Sequence, residues 1–185
     1  MEDGTVFCLY EKESRRLGLR EDTDLTKEVY DRIVAEILLP RAKKRALHLL
    51  EKQDRTKVNL TQKLKESGYP DEVVDEAIAY IEGYGYVDDP RYARNYVRYH
   101  QDSRSRRRIR EDLLKKGISK ETIASAIESE YLSSEEKLIE TLLKKRHYDP
   151  DRADEKERSS VFRFLIGRGF SYEDAKKAVI LDRTI

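Results

Sequence analysis

The sequence predicts an all-α protein, an elongated array of three tandem three-helix repeats with a short strand-like segment ahead of them. Three observations carry this. A pattern centred on a glycine recurs three times at matching offsets, helical apolar spacing precedes each glycine, and 41% charged against 38% hydrophobic residues suits helices around thin cores better than one large globule. Twelve Tyr and no Trp fit such cores, since a tyrosine can be apolar at one end and wet at the other. Helices of about 12 residues are about 18 Å long. Three such bundles in a row, each touching only its neighbour, would extend to about 60–75 Å.

In chain order, Val6 to Tyr10 is a short apolar run suited to a strand, and Glu11 to Leu17 suits a helical turn or two closed by Gly18. A lone strand is not stable by itself. Either it pairs elsewhere, or the start of the chain is a truncated form of a longer N-terminal region. Thr26 can cap a helix on which Val29, Ile33 and Ile37 share a face. Pro40 lacks a backbone donor and crowds the carbonyl of Glu36, so that helix should kink or restart before Arg41 to Lys52, with Ala42, Ala46, Leu49 and Leu50 inward.

The first copy of the repeat is Leu64-x-x-x-Gly68-Tyr69-Pro70-x-Glu72 with Ala77-Ile78. The second is Leu113-x-x-x-Gly117-Ile118-Ser119-x-Glu121 with Ala126-Ile127, and the third Leu165-x-x-x-Gly169-Phe170-Ser171-x-Glu173 with Ala178-Val179. Each reads as a helix ending on a left-handed glycine, an apolar residue folding back onto it, and a Pro or Ser opening the next helix with Glu near its positive end. The glycines lie 49 and 52 residues apart, and the preceding helices are Arg41 to Lys52, Pro90 to His100 and Glu135 to Lys145. The divisions are therefore 1–25, 26–88, 89–132 and 133–185.

Between the first two repeats lies Gly83-Tyr84-Gly85-Tyr86-Val87-Asp88-Asp89-Pro90. Both glycines suit a helix stop, Asp89 a cap and Pro90 a first helical position, leaving Tyr86 and Val87 to plug the seam, so Tyr86, Asp88 and Asp89 are the expected junction residues.

Net charge is +1 overall, but residues 71–89 hold seven acids and no Lys or Arg, whereas residues 91–116 have ten bases against three acids. Those ten, Arg91, Arg94, Arg98, Arg104, Arg106, Arg107, Arg108, Arg110, Lys115 and Lys116, are the candidate contacts for a partner or nucleic acid. Ser103 or Ser105 can cap a helix with Ile109, Leu113 and Leu114 inward and guanidinium groups outward, ready for phosphates or carboxylates. Tyr96 and Tyr99, interleaved with Arg94 and Arg98, suggest an aromatic face that stacks on a base. The plainer alternative is that these cations solvate a helix face and pair with the acidic block.

Catalytic and metal readings have little to stand on. Capping accounts for Asp89 beside Asp88, the three histidines lie far apart, and Gly83-x-Gly85 lacks a third glycine and a preceding strand. Cys8 stands alone, so no internal disulfide or cysteine-based metal site is available; its apolar run suggests a buried thiol. No cofactor is expected. No apolar run reaches a membrane span's length and no signal-peptide core follows the first charges, which points to the cytoplasm.

The segments Ala46-Leu47-x-Leu49-Leu50, Gly85-Tyr86-Val87-Asp88-Asp89-x-Arg91-Tyr92-Ala93 and Arg108-Ile109-x-x-x-Leu113-x-x-Lys116-Gly117-Ile118 resemble the RecX family of bacterial recombination regulators, over about residues 26 to 181. The resemblance implies an elongated, curved, non-enzymatic protein of three three-helix repeats. It implies binding to the RecA nucleoprotein filament as a monomer, modulating and usually inhibiting strand exchange, ATP hydrolysis and coprotease activity in DNA repair. Family members often carry a glycine before the Arg-Ile pair, where this chain has Arg106-Arg107. The competing class is a helical module that grips single- or double-stranded nucleic acid without sequence choice.

Overall fold

The computed structural model describes residues 6–19 and 24–180. Every regular element among them is helical: α1 (Glu11–Arg16), α2 (Lys27–Ile33), a π turn (Val34–Leu38), α3 (Leu39–Lys52), α4 (Lys57–Lys65), α5 (Asp71–Gly83), α6 (Asp89–His100), α7 (Arg106–Lys115), α8 (Lys120–Glu130), α9 (Glu135–Lys145), α10 (Glu155–Gly167) and α11 (Tyr172–Val179). Two compact units result, Met1–Asp88 and Asp89–Ile185.

Hydroxyl and carboxylate caps set most helix starts. Thr26, Thr56, Ser105, Ser119, Ser134, Asp154 and Ser171 each accept a backbone N–H from the first turn of the helix they open, satisfying a donor that has no intrahelical partner. The repeat glycines end the helices as expected, with φ of +80° at Gly68, +82° at Gly117 and +91° at Gly169. After Gly117 the Ile118 N–H donates to the Leu113 carbonyl, and after Gly169 that of Phe170 donates to Leu165, so each apolar residue folds back over the helix just ended. The loop after α9 builds the same turn without a glycine. His147 takes φ +54° while the Tyr148 N–H reaches the Leu143 carbonyl and the Tyr148 hydroxyl donates to the Val179 carbonyl.

Several expectations are corrected. Val6 to Tyr10 forms no strand; it lies as irregular chain with Phe7 and Leu9 packed on the first repeat's core, Phe7 against the Tyr30 ring, and the Cys8 carbonyl accepting from Arg41. Cys8 is exposed, because alternation in this run turns Phe7 and Leu9 inward instead. Pro40 sits in the first turn of α3, where the α-helical register restarts, but the chain stays helical through it. The register slips by one residue in the π turn just upstream, where the Leu39 N–H bonds the Val34 carbonyl, and α3 continues through the proline. Gly83 is the last residue of α5 and only Gly85 of that pair takes positive φ, +70°. Tyr86 does not plug a seam: it is 53% exposed and stacks on Tyr84, while Val87 alone enters a core.

In the N-terminal unit α3 packs chiefly on α5, burying Ala42, Ala46, Val74, Ala77 and Ile81 with Leu60 and Leu64 of α4. In the C-terminal unit the second and third repeats share one core, from Ile109, Leu113 and Ile123 through Leu138 and Leu142 to Val161, Leu165 and Phe170. Here α6 packs on α8 while α10 packs on α11. Full burial of a side chain such as Phe170 is worth about 2–3 kcal/mol.

Candidate functional site: the basic helices of the second repeat

The basic stretch is carried by α6, the turn after it and α7. Ser105 fixes the start of α7, its Oγ accepting the Arg108 N–H at 3.2 Å. Ile109 and Leu113 turn to the core, so the arginines on either side of Ile109, Arg106 to Arg108 and Arg110, occupy different sides of the helix.

One side is spent inside the protein. Asp112, its side chain only 11% exposed, accepts from Arg104 Nη1 at 2.6 Å and Arg108 Nε at 3.2 Å. The Tyr96 hydroxyl accepts from Arg104 at 2.8 Å and donates to Asp112 at 3.3 Å. Burial, and after it the Asp112 charge, push the Tyr96 hydroxyl above its ordinary pKa; burial and then Arg104 hold the neighbouring His100 below its own. The Lys116 ammonium lies over the rings of Tyr92 and Tyr96, at 5.8 and 5.6 Å. Tyr96 therefore belongs to a packed polar network and offers no open face to a base.

The same stretch also joins the second repeat to the third. The Ser105 N–H donates to the Arg168 carbonyl at 3.0 Å, Arg107 Nε to the Gly169 carbonyl at 3.1 Å, and Arg168 Nη1 to the Ser103 carbonyl at 3.0 Å. The Arg106 N–H meets Glu135 at 2.8 Å while its guanidinium covers the Tyr131 ring at 4.8 Å, and the Tyr131 hydroxyl donates to the Arg104 carbonyl at 3.1 Å. Burial first, then Glu135, push Tyr131 up to about 12, with Arg106 opposing. So close is the approach that a Cβ on Gly169 would stand 2.5 Å from Arg108 Cβ and 2.6 Å from Ser105 Oγ.

Of the ten basic candidates, Arg98, Arg104, Arg107 and Arg108 are thus engaged within their own unit, Arg98 gripping Glu130 through Nε and Nη2, the latter at 2.8 Å. The acids of 71–89 serve the first repeat in turn: Glu82 meets Lys57 at 2.7 Å, Asp71 meets Lys65 at 3.0 Å, and Glu72 takes the Tyr30 hydroxyl. The i,i+4 spacing of Arg108 and Asp112 was a signal for one of these pairs. Nothing local pointed to Glu130 or Tyr131, or to the Gly169 carbonyl as the acceptor of Arg107. Arg91, Arg94, Arg106, Arg110 and Lys115 are exposed, as is Tyr99 at 83%, and Lys116 is partly covered; Asp88 and Asp89 lie half-buried where α6 begins. Among the described residues, neither Arg110 nor Lys115 has a carboxylate partner, and no group of His, Cys, Asp or Glu is placed to hold a metal ion.

Models of the first, second and third three-helix domains of RecX match residues 42–80, 88–127 and 134–179, in that order along the chain. The chain belongs to the RecX family. The regulatory protein RecX of Caldanaerobacter subterraneus subsp. tengcongensis is 34% identical over 167 residues, 89% of this chain and 82% of the relative. That of Vibrio vulnificus strain CMCP6 is 32% identical over 135 residues, 72% of this chain and 88% of the relative. A crystal structure of regulatory protein RecX superposes with a TM-score of 0.66 at 26% identity, covering 96% of this chain and 91% of that one. The three RecX domains correspond to α3–α5, α6–α8 and α9–α11, so the basic helices described above are those of the second domain.

Proposed function

We propose that this RecX protein binds the RecA nucleoprotein filament as a cytoplasmic monomer and inhibits strand exchange, ATP hydrolysis and coprotease activity without catalysing a reaction of its own. The observation that carries this is the complete set of three RecX domains in tandem, over a chain with the fold of a solved RecX protein. Arg94, Arg110 and Lys115, exposed on the second domain, supply cations for phosphate or acidic protein surface. Arg104 and Arg108 act indirectly, by holding α7 in position through Asp112.

A helical module that grips nucleic acid alone is the second reading, favoured by the exposed Tyr99 ring on the same helix as Arg94. Titration of the protein into RecA strand exchange and ATPase assays separates the two. Inhibition at amounts well below DNA saturation supports filament binding. No effect on either reaction at stoichiometric amounts, with tight and steeply salt-dependent binding to naked DNA, would replace it with the second reading.

A further inference from the structure

Outside the basic helices, the third repeat holds a cleft of about 480 Å³ between α10 and α11, a size typical of ligand and short-segment sites. Phe162 and Tyr172 meet edge to face along it, ring centroids 5.3 Å apart, and Arg158, Arg163 and Lys176 bring three cations against the single carboxylate of Glu155. Among the described residues, the side chains of Arg163 and Lys176 make no ion pair. Arg158 is held from behind, its Nη2 donating to the Pro150 carbonyl at 3.2 Å, while its Nε is buried with no acceptor among the described residues.

We propose that this cleft binds a short acidic segment of a protein partner, with carboxylates on Arg158, Arg163 and Lys176 and an apolar side chain against Phe162 and Tyr172. The lining favours peptide over nucleic acid on two counts. Glu155 can accept a peptide N–H, a donor that a phosphodiester backbone lacks. The two rings close on each other edge to face and leave no parallel slot between them for a base. Arg94, Arg110 and Lys115 are not among the residues that line the cleft, so the inference stands or falls separately from the function proposed above.

Fluorescence anisotropy tests it, with a dye-labelled peptide of alternating Glu and Leu as the probe and the matching Lys and Leu peptide and an oligothymidylate as comparisons. The acidic peptide should bind. Arg163→Glu with Lys176→Glu should weaken it at least about tenfold, whereas Arg110→Glu with Lys115→Glu changes it less than about twofold. Both pairs are exposed and should leave the far-ultraviolet circular dichroism unchanged. Should the first pair lower helicity, amide shifts on adding the acidic peptide to the unchanged protein decide instead, and must centre on α10 and α11. Absence of binding, equal binding of the basic peptide, equal loss in both double variants, or oligothymidylate binding removed by the Arg163 and Lys176 changes would each overturn the proposal.

Discussion

On one side of α7 and the turn before it, Arg104 and Arg108 converge on Asp112 and Arg107 reaches the Gly169 carbonyl; on the other, Arg110 and Lys115 face solvent. The cations lie within twelve consecutive residues and have similar chemistry, yet Arg104 and Arg108 fasten α7 inside the second repeat, Arg107 joins it to the third, and Arg110 and Lys115 stay exposed. What separates them is the position of each relative to the nearly buried Asp112 carboxylate and to the end of α10, features set by residues up to 62 positions away in sequence. A basic stretch is therefore two objects, and substitutions can be chosen that touch one and spare the other.

The largest effect is expected at Gly169. A Cβ there would press within 2.5 Å of Arg108 Cβ while also occupying a left-handed conformation, so Gly169→Ala should cost about 3 kcal/mol or more and release the join between second and third repeats. Gly68 has the same backbone conformation but its Cβ would meet only Cys8 Sγ, at an ordinary 3.5 Å, so Gly68→Ala should cost about 1 kcal/mol. Thermal melts of both variants measure the difference. Equal losses would mean that the packing of α7 on the Gly169 turn adds nothing to the backbone cost.

Next comes Asp112→Ala, which leaves Arg104, Arg108 and the Tyr96 hydroxyl without their shared partner. Because the Asp112 side chain is only 11% exposed, a loss of about 2–3 kcal/mol is expected in denaturant unfolding. A change below about 0.5 kcal/mol would move Arg104 and Arg108 into the solvent-facing set.

Alkali probes the contact of Tyr131 with the turn before α7. Below about pH 10 Tyr131 is protonated in both folded and unfolded chains and contributes no pH dependence. Its folded pKa is pushed up to about 12, so above pH 10 the unfolded chain ionises first and stability falls as pH rises from about 10 to about 12. Tyr131→Phe should flatten that decline, read from melts across this range, though it starts lower for want of the bond to the Arg104 carbonyl. A decline as steep as in the parent would assign the alkaline loss to other groups.

The smallest effect is a gain. His147 is held at φ +54° where the other turns use glycine, and His147→Gly should stabilise by about 0.5–1 kcal/mol. An unchanged or lower melt would show that His147 makes contacts that offset its backbone strain.

These cases also mark what could be read from sequence. The three glycine turns and the caps at Thr26, Ser105, Ser119 and Ser171 were legible because each is decided within four or five residues by backbone donors and left-handed φ. His147 escaped because its turn copies the motif without the residue that announces it. The run from Val6 to Tyr10 was misread because its alternation places Phe7 and Leu9 on a helical core, a role that needs no strand partner. Pro40 was legible as a disturbance but not as a π turn, since the backbone absorbs the missing donor upstream of the proline. For the basic stretch the composition was plain and the use was not. Helical periodicity says which side is buried, whereas the assignment of Arg107 to the Gly169 carbonyl and Arg98 to Glu130 depends on tertiary contacts that leave no local trace.

The division of the basic residues is tested most directly by titrating Arg94→Glu, Arg110→Glu and Lys115→Glu, combined in one chain, into RecA-driven strand exchange beside the parent protein. An unchanged thermal melt and a loss of inhibitory potency of at least about tenfold are expected, because only exposed cations are reversed. Full inhibition at the parent's concentration by a normally folded triple variant would contradict that division.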